Sequence, residues 1–80
     1  MQSPQDVARK ISNVVKQRRK SLGISQEQLA LIVGIDRTYA SQIERAIANP
    51  SLTVLCNIAT ALNLSLSQLV GEMTINQDAE

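Results

Sequence analysis

The stretch Ser25 to Arg45, SQEQLALIVGIDRTYASQIER, constrains this chain most, because two short helical patterns meet in it at one glycine. Ser25 followed three residues later by Gln28 is a capping-box pair that opens the first helix. Leu29, Ala30 and Val33 then fall on one face of that helix. Gly34 suits a left-handed C-terminal turn, a backbone state that strains residues with a Cβ. Ile35 turns inward after it. Asp36 stands where a side chain caps a second helix running to about Arg45.

The second helix carries the functional information. At ~100° per residue, Ala40, Ile43 and Ile47 gather on one side. Thr38, Ser41, Gln42 and Arg45 gather on the opposite side, with Arg37 near its N-terminal edge. That outer face holds no acid. Its side chains are of the kind that read base edges: Arg bidentate to guanine, Gln to adenine, Ser or Thr to either. An ordinary solvated helix face is the plain alternative. Placement directly after a glycine turn favours the other reading, since helix, tight turn and helix is the layout of helix-turn-helix DNA-binding proteins. Arg37, Thr38, Ser41 and Gln42 are therefore the candidate base-reading residues.

The rest of the chain supplies further helices. Residues 1–5 read as a flexible N-terminus, with Ser3 and Pro4 marking a helix entrance. From about Asp6 to Leu22 the residues Val7, Ile11, Val14, Val15 and Leu22 form a helical apolar stripe. Lys16, Arg18, Arg19 and Lys20 make a basic last turn that complements the helix dipole, and Gly23 ends it. Ala46 to Pro50 reads as a loop. Pro50 and Ser51 open a fourth helix to about Leu62, apolar at Leu52, Leu55, Cys56, Ile58, Ala59 and Leu62. Asn63 suits a positive φ at its end. Ser65 with Gln68 is a second capping box, opening a short fifth helix to about Val70, after which Gly71 stops it. The expected organisation is one all-α domain over 6–70 and an acidic, polar tail over 71–80, fraying at least from Asn76.

Charge divides the chain. Residues 1–45 hold all eight Lys and Arg against four acids, for +4, whereas residues 46–80 hold three acids and no base, for −3. A basic half suits a phosphate backbone and an acidic half is repelled by it. Eighty residues make a single small core, here aliphatic because Tyr39 is the only aromatic residue, and dimerisation supplements such a core naturally. Cys56 is the only cysteine, which excludes an internal disulfide, and its apolar setting predicts a small buried hydrophobe. No histidine, phosphate-cradling glycine loop or carboxylate cluster is present, so neither an enzyme nor a metal site is expected, nor any cofactor. The start of the chain does not read as a signal peptide and the longest apolar run is too short for a bilayer, which together predict a cytoplasmic protein with no membrane partner.

The segments SQEQLA, VGIDRTYASQIER, NPSL and ALNLSLSQL together resemble the phage repressor and Cro (XRE) type of helix-turn-helix protein, over about Ile11 to Val70. The DRTY stretch opening the second helix is most similar to the small controller proteins of restriction–modification systems. The resemblance implies a compact five-helix, lambda-repressor-like domain. It implies an ion pair between Arg19 and Glu44, and DNA-backbone contacts from Arg19, Gln26, Tyr39, Arg45 and Asn49. Tyr39 is equally suited to packing at the core edge. A dimer seam is implied within about residues 52–73, from Val54, Leu66, Leu69, Val70 and Met73, against the alternative that these residues close the domain's own core. Two departures stand out. The family often places glycine and a basic residue where this chain has Ala46 and Ala48. It places polar residues where this chain has Leu31 and Ile32, read here as a wider core, with a second dimer or RNA polymerase as the other use. The expected partner is double-stranded DNA, bound by a homodimer on a pseudo-palindromic operator, with two dimers on one operator left open. The expected role is a transcription regulator controlling its own promoter. A phage or plasmid repressor, and an antitoxin-like protein-binding module, are the alternatives.

Overall fold

A computed structural model describes residues 3–70, and among them every regular element is helical. The helices are α1 (Pro4–Ser21), α2 (Gln26–Val33), α3 (Arg37–Glu44), α4 (Leu52–Ala61) and α5 (Leu66–Val70). Helix α3 packs on α1 and α2, α4 packs on α2 and α5, and α5 closes back on α1. One cluster of Ile11, Val15, Leu29, Ile43, Ile58, Ala59, Leu62 and Leu69 fills the centre, so all five helices contribute to a single core.

Local chemistry sets where the helices start. Ser3 caps α1, with its hydroxyl accepting from the Asp6 amide at 3.1 Å and Asp6 Oδ2 accepting from the Ser3 amide at 3.4 Å. The helix therefore begins at Pro4, two residues earlier than expected, because Ser3 and Asp6 complete a capping box that holds the first turn. The Ser25–Gln28 and Ser65–Gln68 pairs form the same reciprocal bonds. Asp36 occupies the N-cap position of α3 without a side-chain cap bond, contrary to expectation. Extended backbone at φ −71°, ψ 146° is enough to begin the helix there.

The first four helices end alike. Gly23, Gly34, Ala46 and Asn63 each adopt positive φ, at 73°, 84°, 61° and 60°. The next residue in each case is aliphatic, and its N–H reaches a carbonyl five residues back: Ile24 to Arg19, Ile35 to Ala30, Ile47 to Gln42 and Leu64 to Ala59, at 3.2, 3.0, 2.9 and 2.8 Å. This Schellman arrangement satisfies helix-end carbonyls and tucks the aliphatic residue under the helix. Ile24, Ile35 and Leu64 pack against the core, whereas Ile47 is 59% exposed. A Cβ at Gly34 would meet no atom within 4 Å, so only the backbone angle asks for glycine there.

Three packing expectations are corrected. Leu31 and Ile32 are 78% and 60% exposed and do not widen the core, because α2 already buries Leu29 and Ala30 on its inner face. Cys56 is exposed, since the core side of α4 is taken by Ile58, Ala59 and Leu62 and Cys56 points away from it. Leu69 is fully enclosed within the protomer, so it belongs to the core and not to a dimer seam. Val54, Leu66 and Val70 are half-buried and packed against that same core. Met73, and the acidic tail as a whole, lie outside the described residues.

Candidate nucleic-acid interface

Helix α3 follows the Gly34 turn with its apolar side clamped. Ala40 and Ile43 are buried, and the backbone carbonyl of Glu44 accepts from the buried Ser12 hydroxyl of α1 at 2.6 Å. Clamping one side fixes what the other presents. Arg37, Thr38, Ser41, Gln42 and Arg45 together line one shallow surface depression. Arg37, Thr38 and Arg45 are exposed, while Ser41 and Gln42 are half-buried at its floor. Two guanidinium groups, two hydroxyls and an amide face outward without a carboxylate among them. Such a surface suits phosphates and base edges, both rich in acceptors.

Beneath this surface lies a buried ionic clamp. Arg19 Nε donates to Glu44 Oε2 at 2.6 Å and Arg19 Nη2 donates to Glu44 Oε1 at 3.1 Å. Gln26 Nε2 donates to the same Oε1 at 3.1 Å, and Arg19 Nη1 donates to the Ile24 carbonyl at 2.9 Å. The two charged side chains are 12% and 1% exposed. Through Glu44, α1 and the first turn of α2 are therefore bonded to the last turn of α3. The forked guanidinium matches both carboxylate oxygens, a geometry that lysine could not supply.

The residues expected on the DNA backbone thus separate into groups. Arg45 joins the outward surface of α3. Arg19 is engaged in the clamp, and Gln26 has one amide hydrogen committed to it and a second remaining. Tyr39 is half-buried and packed against the core. Asn49 lines an apolar groove with Pro4, Val7, Ile11, Pro50 and Leu55, apart from the depression on α3.

Two polar roles went unread in the sequence. Ser12 sits on the apolar stripe of α1, and one small hydroxyl between Ile11 and Val15 is the only local sign of its bond to α3. Arg18 Nε donates to the Leu62 carbonyl at the end of α4, at 2.9 Å. That bond places a cation at a helix C-terminus, where the dipole favours it.

Comparison with known proteins agrees with this geometry. A family model described as "Helix-turn-helix" matches residues 15–69. The immunity repressor protein of Bacillus phage phi105 is 38% identical over 66 residues, covering 82% of this chain and 46% of that protein. Control protein C.SmaI of Serratia marcescens is 38% identical over 65 residues, covering 81% of this chain and 77% of that one. The crystal structure of the restriction–modification controller protein C.AhdI from Aeromonas hydrophila superposes with a TM-score of 0.74 at 35% identity, covering 78% of this chain and 94% of the other. The chain spans about half the length of the phage repressor and most of both controller proteins. No helix among the described residues is long and apolar enough to cross a membrane.

Proposed function

Because the chain belongs to the helix-turn-helix family of DNA-binding transcription regulators, we propose that it acts as a homodimer on a pseudo-palindromic operator, as a restriction–modification controller regulating its own promoter. The observation that carries this reading is the acid-free outward face of α3, with Arg37, Thr38, Ser41, Gln42 and Arg45 on one surface. Two such faces about one helical turn of DNA apart enter successive major grooves. Arg37 reads a guanine, Thr38, Ser41 and Gln42 complete base recognition, and Arg45 and the free amide hydrogen of Gln26 hold phosphates. The likeness to C.SmaI and C.AhdI supports the controller role.

The homodimer closes through Val54, Leu66 and Val70, in a run from residue 46 to residue 70 that contains no charged side chain. A neutral face approaches its own copy without the repulsion between like charges that a basic face meets.

The equal identity to a phage immunity repressor favours a second reading, a repressor unconnected with restriction genes. Neighbouring genes decide between the two.

Footprinting on DNA upstream of the protein's own gene tests the main reading, with Arg37→Ala beside the wild type. The expected result is a symmetric protected site, with a loss in the variant of about 1–3 kcal/mol of discrimination at one base position. Undiminished selectivity removes Arg37 from base reading. Absence of protection at that DNA removes autoregulation.

A further inference from the structure

Helix α3 is fixed at both ends, by different means. At its start the Gly34 turn sends Ile35 against the core. At its end the last carbonyls lack partners within the helix and need donors from beyond it. Those of Ser41, Ile43 and Gln42 take the amides of Arg45, Ala46 and Ile47, at 3.0, 3.1 and 2.9 Å, so the chain's own turn satisfies them. The carbonyl of Glu44 accepts instead from another helix, from the Ser12 hydroxyl of α1 at 2.6 Å, and both residues are buried. This bond does what the clamp beside it does not. Arg19 and Gln26 grip the Glu44 carboxylate, which two methylene groups separate from the backbone. Rotation about those groups lets the helix shift while the carboxylate stays held. Ser12 grips the backbone itself. Packing leaves room for a shift, because a groove of about 250 Å³ opens between α1 and the chain leaving α3, with Val7, Ile11, Ile43 and Ala48 among its walls.

We infer that Ser12 is a positioning residue for sequence selectivity: without touching DNA, it sets the angle at which the C-terminal half of α3 meets the bases. The inference rests on the DNA-binding reading and adds to it a residue buried beneath the reading helix. Gln42 lies five residues after Arg37, about 7.5 Å further from the Gly34 turn along the helix axis. A swing of roughly 4° about that turn displaces Gln42 by about 0.5 Å more than Arg37, and about 0.5 Å is the tolerance within which a recognition group must be held. With alanine at position 12 the Glu44 carbonyl loses its donor, and a buried acceptor left without one is drawn toward water. The groove offers the space for that movement. Selectivity is therefore lost near Gln42 and kept near Arg37.

The test measures binding of the full chain to a set of duplexes covering the footprinted site, each with one base pair changed. Arg37→Ala and Gln42→Ala first identify the positions that each side chain reads. Ser12→Ala is expected to lower discrimination roughly tenfold at the Gln42 positions and by less than about twofold at the Arg37 positions. Ser12→Thr, which keeps the hydroxyl, is expected to retain the wild-type pattern. Ile58→Val lowers stability while leaving the Ser12 bond intact, and is expected to retain that pattern too. Circular dichroism sets a temperature at which every variant is folded. An unchanged pattern in Ser12→Ala overturns the inference while leaving α3 as the reading helix. So does a loss spread evenly over the site, or one shared by Ile58→Val or Ser12→Thr. If the wild type discriminates among none of the duplexes, the DNA reading itself falls, and the role of Ser12 with it.

Discussion

Helices α1 to α3 and helices α4 to α5 share one core yet are held by different forces. In the first group directional bonds dominate: Glu44 takes three side-chain hydrogen bonds, from Arg19 twice and Gln26 once, while its backbone carbonyl takes Ser12. In the second group there is no charged side chain, and Ile58, Ala59, Leu62 and Leu69 are simply enclosed. Apolar burial has no preferred direction, so it holds helices together more than it aims them. A guanidinium fork on a carboxylate is directional, and it is found where a helix must be aimed at a ligand. The comparison assigns orientation of α3 to the polar half and cohesion to the apolar half.

The largest expected effect comes from breaking the clamp. Glu44→Ala leaves the nearly buried Arg19 without its carboxylate, at a cost of about 3–5 kcal/mol. Arg45→Ala, one residue on but exposed, is expected to change stability by less than about 0.5 kcal/mol. Melting temperatures read both, at roughly 4–8 °C per kcal/mol for a domain of this size. Equal melting temperatures for the two variants contradict the assignment of orientation to the clamp.

Ile58→Ala probes the other half and is expected to cost about 2–5 kcal/mol, through lost burial and the cavity left behind. Added salt is expected to leave that loss unaltered, since no charge lies in α4 or α5. A salt-sensitive loss erases the contrast between the halves.

A gain is expected at their boundary. Ala46 holds φ 61°, and Ala46→Gly relieves a strained left-handed turn by about 1 kcal/mol, visible as a raised melting temperature. Gly34→Ala is the mirror experiment, with a loss of similar size from the same φ argument, because no neighbour obstructs the added Cβ.

The smallest effect is at the entrance of α1. Hydrogen bonds from the Ser3 backbone and then the Ser3 side chain, with Arg9 nearby, hold the Asp6 carboxyl below its ordinary value. A carboxyl lowered by folding contributes stability that is present above its unfolded pKa and is lost as pH falls through its folded one. An acid titration should therefore show a slight loosening of the first turn below about pH 4, absent in Asp6→Asn. Identical acid profiles remove the carboxylate from the cap.

The sequence disclosed what is local. Capping boxes at Ser25 and Ser65, glycine at 23 and 34, and asparagine at 63 each fix a helix end with residues in immediate reach, and the helices follow. Periodicity failed where apolar residues crowd. In α2 the run from Leu29 to Val33 is continuous, so nothing in it distinguishes buried Leu29 from exposed Leu31. In α4 the apolar set spreads over most of the helix, which put Cys56 on the wrong side. The outward strip of α3 could be assembled from spacing alone, being one helix face. The bonds of Gln26 and Ser12 to Glu44 join residues 18 and 32 positions apart, and no local pattern encodes them.

The alanine at position 46 carries one more implication. Alanine and glycine codons differ by a single base, so a sturdier form of this protein lies one point mutation away. Selection can draw on that step if other substitutions erode the domain. A lineage starting here is accordingly freer to alter the residues on the outward face of α3 than one whose turn is already relaxed.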